Sequence, residues 1–211
     1  MEVDPEDHEL KDALCEIRKA YRLIVVYQRR IMDMAKKINQ GFGFKPFFQV
    51  NFKYNATGSK KPTDRPSIDM LPLYSGYCML FLPQKGGVYD HKNPKRSEYM
   101  LEIIFDNDTG FRNVYGEEPD PVSFADPGEC ETKLWLYVYG VTEDMKDTNW
   151  DTNVRQKLDW PKDGEHILNE KLWAAGKSYD LSVIQDESAL KMVIEDFKKF
   201  VNLKRQEIGV C

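Results

Sequence analysis

A single uninterrupted helical pattern near the start of the chain constrains its fold more than any other sequence feature. Apolar residues recur at alternating intervals of four and three from Leu10 to Ile38, which is the heptad periodicity of helices that pack lengthwise against other helices. Neither glycine nor proline occurs between Pro5 and Gly41. We therefore predict a helix at about residues 5–39, roughly 50 Å long at about 1.5 Å per residue.

Both ends of this predicted helix carry recognisable signals. Asp4 is suited to cap the first turn, and Pro5 is suited to the first helical position. At the other end, Lys36 and Lys37 are predicted to lie in the last turn, where cations favour the negative end of the helix dipole. Gly41 is predicted to end the helix.

The heptad row extends beyond what the rest of the chain is expected to cover. Its only polar member is Gln28, and a buried polar residue of this kind can set the register of paired helices. Residues 23–27 are apolar nearly all round the helix, which predicts cover on more than one side. A second helix, predicted at about 187–205 with Asp186 as its cap, repeats the same spacing over half the length. The remaining row predicts contact with the sheet, with a second copy in a homodimer, or with another protein.

Between the two helices, four segments show strand patterns, at about 47–54, 76–83, 98–106 and 132–141. Residues 47–54 alternate apolar and polar side chains, and residues 76–83 are apolar on both faces. Shorter candidates lie at 67–71 and 178–184. These patterns predict one α+β domain over residues 1–211. We expect an antiparallel sheet of about four to six strands, with both helices packed antiparallel to each other on one face.

The composition is typical of a folded intracellular protein. Apolar residues make up 41% of the chain and aromatic residues 12%, more than a disordered chain carries. The acidic N-terminus lacks the basic and apolar regions of a signal peptide, and no apolar run approaches the roughly 20 residues that span a bilayer. The four cysteines lie far apart without a C-x-x-C pair, so neither a disulfide framework nor a zinc site is expected. We predict a cytoplasmic protein that does not enter membranes.

Charge is unevenly distributed, although the net charge is only −5. Residues 45–96 carry nine basic and three acidic groups, whereas residues 97–151 carry three basic and fourteen acidic groups. The overall negative charge argues against a general nucleic-acid binder. Two loops hold most of the basic excess and are candidates for a polyanion site: Lys60, Lys61, Arg65, Lys85, Lys92, Lys95 and Arg96. Because no motif fixes these groups in space, solvated loops are the favoured alternative.

Carboxylates beside a lysine form the strongest enzymatic pattern. Asp106 and Asp108 end one strand pattern, and Glu131 and Lys133 open the next as E-x-K. This order resembles the core of PD-(D/E)xK nucleases, which implies carboxylates that hold Mg²⁺ and a lysine that stabilises charge at phosphate. The chain departs from that pattern because no Pro-Asp pair precedes at the expected place. Residues 106–110 also match part of a calcium loop, but their glycine comes one position early, which favours a polar turn.

Two functional hypotheses follow from these patterns. The preferred one is a non-enzymatic interaction or regulatory protein that uses its long helix and charged loops and needs no cofactor. The alternative is a metal-dependent nuclease or phosphodiesterase with Mg²⁺ at the carboxylates. Trp150 and Trp160 lie in a polar connector, where we predict that they anchor the loop on the domain rather than mark a binding surface.

Overall fold

The computed structural model of the protein describes residues 5–51, 77–83, 91–96, 98–110, 122 and 124–210. The chain divides into two units, residues 1–37 and 38–211. The predicted helix cap at Asp4 and the predicted strand at 67–71 lie outside the described residues. Four of the basic residues proposed for a polyanion site also lie outside them: Lys60, Lys61, Arg65 and Lys85. That the whole chain forms one domain stays a prediction.

The first helix, α1, runs from Pro5 to Phe42, about 57 Å at about 1.5 Å per residue. It ends three residues later than predicted, and no basic residue lies in its last turn, so the expected position of Lys36 and Lys37 was wrong. Gly41 does not end the helix: a Cβ there would lie 3.0 Å from Ile194 Cγ2, so this glycine serves close packing. The left-handed backbone that ends α1 belongs to Gly43, with φ of 69°. No helix in the described part of the chain is long and apolar enough to cross a membrane.

A six-stranded antiparallel sheet forms the centre of the second unit, in the order β1-β2-β3-β4-β6-β5. Its strands are β1 Phe44–Asn51, β2 Tyr77–Pro83, β3 Tyr99–Asp106, β4 Lys133–Val141, β5 His166–Asn169 and β6 Leu172–Asp180. Within the described residues, the four main strand predictions are confirmed to within three residues. Residues 52–54 of the first predicted strand and residue 76 of the second lie outside the described residues. The α+β fold is therefore as predicted.

The candidate strand at 178–184 was wrong in position. The chain leaves β6 at Asp180, whose carboxylate accepts a hydrogen bond from the Ser182 N–H and starts a short 3-10 turn, Leu181–Val183. The β5–β6 hairpin before it was not predicted, because β6 contains two alanines and Gly176, which are weak strand formers. Gly176 is required there: a Cβ would lie 2.4 Å from the ring of Tyr137.

The second helix, α2, spans Glu187–Ile208 and packs on the sheet through its apolar row. Asp186 caps it as predicted, accepting the Ala189 N–H at 2.9 Å. The row Leu190, Ile194, Phe197 and Val201 is buried. Phe197 meets Phe42 at the end of α1 edge-on, with 6.0 Å between ring centroids. Antiparallel packing of the two helices along their length stays a prediction.

Replacing Gly43 by alanine should lower the free energy of unfolding by about 1–2 kcal/mol, because an L side chain strains the left-handed backbone. A Cβ at this position would have no neighbour within 4 Å, so the cost is conformational rather than steric. Gly43→Asn is the matched control, since asparagine tolerates this conformation better, and its loss should be smaller. Urea unfolding of both variants measures the difference; equal losses would contradict this explanation.

An ion pair between α2 and β6 should make stability depend on pH. Asp196 Oδ2 accepts hydrogen bonds from Lys177 Nζ and Tyr179 OH, both at 2.7 Å. Burial raises the pKa of Asp196, but these two hydrogen bonds outweigh it and the pKa is lowered. A lowered pKa stabilises the fold above the ordinary carboxyl value of about 3.9, and the benefit is lost as pH falls through the folded value.

Asp196→Asn should therefore cost about 0.5–1 kcal/mol at neutral pH, as expected of a half-exposed pair. The difference from wild type should shrink as the pH falls through the lowered pKa of Asp196, because the carboxylate is then protonated. Thermal unfolding of the two proteins across this range measures it. A difference that stays constant with pH would show that the carboxylate charge is not responsible.

Candidate functional site

The first candidate site lies on α1, where four consecutive members of the heptad row are exposed. Leu10 is 60% exposed, Leu14 44%, Ile17 50% and Tyr21 52%. We call these four residues the exposed row. Farther along the same row, Ile24 and Gln28 are half-buried, and Ile31, Ala35 and Ile38 are buried. Single apolar side chains are common on protein surfaces, but a continuous stripe of them marks an interaction surface.

The apolar segment at residues 23–27 is not covered as the sequence predicted. Leu23 is 70% exposed, Val25 47% and Val26 64%, while Ile24 and Tyr27 are half-buried. The prediction of cover on more than one side was therefore wrong for a single copy of this chain. Since water contact with so much apolar surface is unfavourable, Ile24 and Val25, which lie in and beside the heptad row, extend the surface available to a partner. Leu23 lies on the outer side of the helix.

The second candidate site is a carboxylate buried in the middle of β3. Glu102 is fully buried, and its Oε2 accepts hydrogen bonds from Tyr139 OH at 2.5 Å and from Trp160 Nε1 at 3.2 Å. Its Oε1 accepts a hydrogen bond from Arg155 Nη1 at 3.3 Å. A buried charge is tolerated only when it is paired and hydrogen-bonded, and Glu102 meets both conditions. The carboxylate thus joins β3, β4 and the connector 142–163.

The connector 142–163 is held on the sheet by the two tryptophans, as predicted. Trp150 opens a π-helical turn, Trp150–Val154, and is 2% exposed. Trp160 is 46% exposed, but its ring stacks on Tyr137 with 6.3 Å between centroids, in addition to its hydrogen bond to Glu102. Burial raises the pKa of Tyr137, and the negative charge of Glu102 raises it further, so its hydroxyl stays neutral. These contacts give the polar connector a structural role.

The predicted carboxylate and lysine site is brought to one end of the sheet. Asp106 lies opposite Lys133 in the β3–β4 pairing, and Lys133 Nζ forms an ion pair with Glu131 Oε2 at 2.7 Å. The hydrogen bond to Glu131 is the main cause of a raised pKa for Lys133, which keeps the lysine charged. Among the residues that the structure describes, no group of three carboxylate, histidine or cysteine side chains is arranged to hold a metal ion. Metal-dependent cleavage by these residues stays a prediction.

The run at 106–110 forms a polar turn, as the sequence favoured over a calcium loop. Asp108 Oδ1 accepts the Gly110 N–H at 2.9 Å, and the Thr109 N–H donates to the Glu131 carbonyl at 3.1 Å. Gly110 is packed closely, because a Cβ there would lie 2.1 Å from Cys130 Sγ. The turn therefore ties the end of β3 to the segment that precedes β4.

The basic residues of the second loop that are described contact the connector 142–163 and the C-terminus. Lys95 Nζ lies 3.1 Å from Asp144 Oδ2, and the Arg96 side chain donates to the Gly209 carbonyl at 2.5 Å. Lys92 forms an isolated bridge with Asn149. These contacts give the residues a structural role, and a polyanion site in this region stays a prediction.

The burial of the Glu102 carboxylate was not predicted from the sequence. Glu102 lies in the middle of β3, YMLEIIFD, whose other charged residue is Asp106 at the end of the strand. A charge surrounded by apolar residues within a strand signals a buried polar network. Arg155 lies 53 positions away, so the spacing along the chain does not connect the two.

Comparison with known proteins gives a family but no activity. The uncharacterised protein PM0109 of Pasteurella multocida (strain Pm70) is 22% identical over 201 residues, covering 90% of this chain and 93% of the relative. No solved structure matches the chain significantly. The model of the PM0109 family matches residues 7–206, from the start of α1 to the last turns of α2. The chain therefore belongs to the PM0109 family.

Proposed function

We propose that this protein is a non-enzymatic interaction protein that assembles with copies of itself through the exposed row of α1. The observation that carries the proposal is the exposure of Leu10, Leu14, Ile17 and Tyr21 within one unbroken heptad pattern. Helices in proteins gain most of their stability from packing of an apolar face. A helix with such a face exposed to water becomes more stable when another surface covers that face.

A second copy of α1 is the partner that fits the pattern best. In a heptad, position d follows position a after three residues, and the next a follows d after four. By this spacing Leu14 and Tyr21 occupy a positions, and Leu10 and Ile17 occupy d positions. Side chains at a and d of one helix insert between those of an equivalent helix. The exposed row is thus complementary to itself without a further binding motif.

The expected assembly is weak enough to depend on concentration. Burial of each half-exposed member should contribute roughly 1 kcal/mol, about half the value for a fully exposed side chain. Association itself costs about 4–15 kcal/mol. Two rows of four residues therefore contribute about as much as association costs, so the assembly should be weak and should depend on concentration.

Sedimentation velocity of the full chain tests the proposal. Between about 10 µM and 1 mM, a range that reaches weak association, the average mass should rise above the 24.7 kDa of one chain. A mass that stays at 24.7 kDa over this range would contradict self-assembly.

A further inference from the structure

We infer that α1 binds an anionic membrane surface through a stripe of cations interleaved with aliphatic side chains. The stripe lies outside the exposed row, so the inference goes beyond the proposed self-association and does not depend on it. Three observations support it: the charge of this part of the helix, the exposure of its cations without carboxylate partners, and the exposed aliphatic side chains between them.

The charge of α1 changes sign along its length. Residues 5–16 carry five carboxylates and one lysine, whereas residues 17–42 carry seven cations and one carboxylate, Asp33. Of these seven cations, Lys19 forms an ion pair with Glu16 at 2.7 Å. The helix dipole favours cations only near the last turn, so it does not account for cations in the middle of α1.

Four of the cations lie on one side of the helix and are exposed. Arg22, Arg29 and Lys36 follow one another at intervals of seven residues, and Arg18 lies four residues before the first of them. These intervals place all four on one face, over about 27 Å of helix at about 1.5 Å per residue. Within the part of the chain that the structure describes, none of the four forms an ion pair, either with Asp33 or with another carboxylate. We call these four residues the cationic stripe.

Exposed aliphatic side chains lie between the members of the cationic stripe. Val26 lies four residues after Arg22 and three before Arg29. Met32 lies three residues after Arg29 and four before Lys36. Residues at these separations are neighbours on a helix surface. Val26 is 64% exposed and Met32 42%, so the stripe presents charged and aliphatic groups in alternation.

This alternation matches the interfacial region of an anionic bilayer. Lysine and arginine are attracted to anionic lipid headgroups, while aliphatic side chains enter the boundary between headgroups and acyl chains. A nucleic acid would use the cations alone, because duplexes are held at their phosphates and single strands by stacking on aromatic side chains. Val26 and Met32 therefore favour a membrane surface, on which α1 lies without crossing the bilayer.

Flotation of the full chain with lipid vesicles tests the inference. We compare vesicles of phosphatidylcholine that contain about 30% phosphatidylserine with vesicles of phosphatidylcholine alone. Binding to the anionic vesicles should be at least about 10-fold tighter, and a DNA duplex added at equal total charge should not release the protein. Equal binding to both kinds of vesicle, binding to neither, or release by DNA would overturn the inference.

A charge variant with a matched control locates the binding surface. Arg22→Gln with Arg29→Gln should weaken binding to anionic vesicles about 25-fold, because each cation near such a surface contributes about 5-fold, or roughly 1 kcal/mol. Lys157→Gln with Lys162→Gln removes the same charge from exposed positions of the connector 142–163 and should weaken binding less than about 3-fold. Equal weakening by the two variants would show that net charge controls binding and would overturn the inference.

An aliphatic variant tests the assignment to a membrane rather than to another polyanion. Val26→Gln with Met32→Gln keeps every charge and a good helix former, but its two side chains no longer gain from leaving water. Binding to anionic vesicles should weaken roughly 10-fold, and unchanged binding would overturn the membrane assignment. Since neither residue belongs to the exposed row, sedimentation of the same variant should show unchanged self-assembly, so that this inference and the proposed function fail separately.

Discussion

Replacing Glu102 by alanine is expected to lower the free energy of unfolding by about 3–5 kcal/mol, the typical cost of removing one partner of a buried ion pair. The change removes the buried carboxylate that accepts hydrogen bonds from Arg155, the Tyr139 hydroxyl and the Trp160 N–H. Arg155, which is 18% exposed, keeps its ion pair with Asp151. It also removes one of the contacts that hold the connector 142–163 on the sheet. Urea unfolding measures the loss.

Three variants separate the contributions of charge, hydrogen bonding and ion pairing. Glu102→Gln keeps the shape of the side chain but removes its charge, so we expect a smaller loss. Tyr139→Phe removes one charge-assisted hydrogen bond and should cost about 1.5–3 kcal/mol. Glu143→Gln breaks an exposed ion pair with Lys171 and should cost less than any of the substitutions in the buried network. If Glu102→Ala lowered the free energy of unfolding no more than Glu143→Gln, the hydrogen bonds and ion pair of Glu102 would not stabilise the fold as expected.

Replacing Ile17 by glutamate should weaken assembly more than 100-fold. Ile17 is 50% exposed in the middle of the exposed row, and assembly would carry a carboxylate into an apolar layer, which costs several kcal/mol when the charge has no partner. Glutamate is a good helix former, so α1 itself should be retained. The change in dissociation constant is measured by sedimentation, and circular dichroism verifies that helix content is unchanged.

Leu23→Glu is the matched control for this substitution. Leu23 is 70% exposed, more than any member of the exposed row, but it lies at a c position on the outer side of the helix. The same charge placed there should change the dissociation constant by less than about 3-fold, since an exposed surface substitution typically changes the energy by at most about 0.5 kcal/mol. Equal weakening by both variants would show that net charge, rather than the row, controls assembly.

The sequence was sufficient to predict the elements whose signals are local. The uninterrupted heptad pattern predicted α1, and the Asp186 cap predicted the start of α2. The end of α1 was misplaced because the sequence around it contains two glycines. Only packing against Ile194 distinguishes Gly41, inside the helix, from Gly43, which ends it.

Elements that depend on distant contacts were not predictable in the same way. The strand β6 has weak local propensity and forms because β4 pairs with it along its whole length, with Tyr137 covering Gly176. The partners of Glu102 likewise come from segments 37–58 positions away. Such contacts depend on the folded sheet, and the local sequence around each residue carries no record of them.

Hydrogen exchange at two concentrations tests the central claim most directly, because it locates the covered surface. We compare backbone exchange of the full chain at about 10 µM and at about 1 mM, so that the higher concentration reaches weak association. Peptides that contain Leu10 to Tyr21 should gain protection at the higher concentration, while peptides from β3 and β4 should remain unchanged. Gain of protection confined to the sheet, or none anywhere, would contradict assembly through the exposed row.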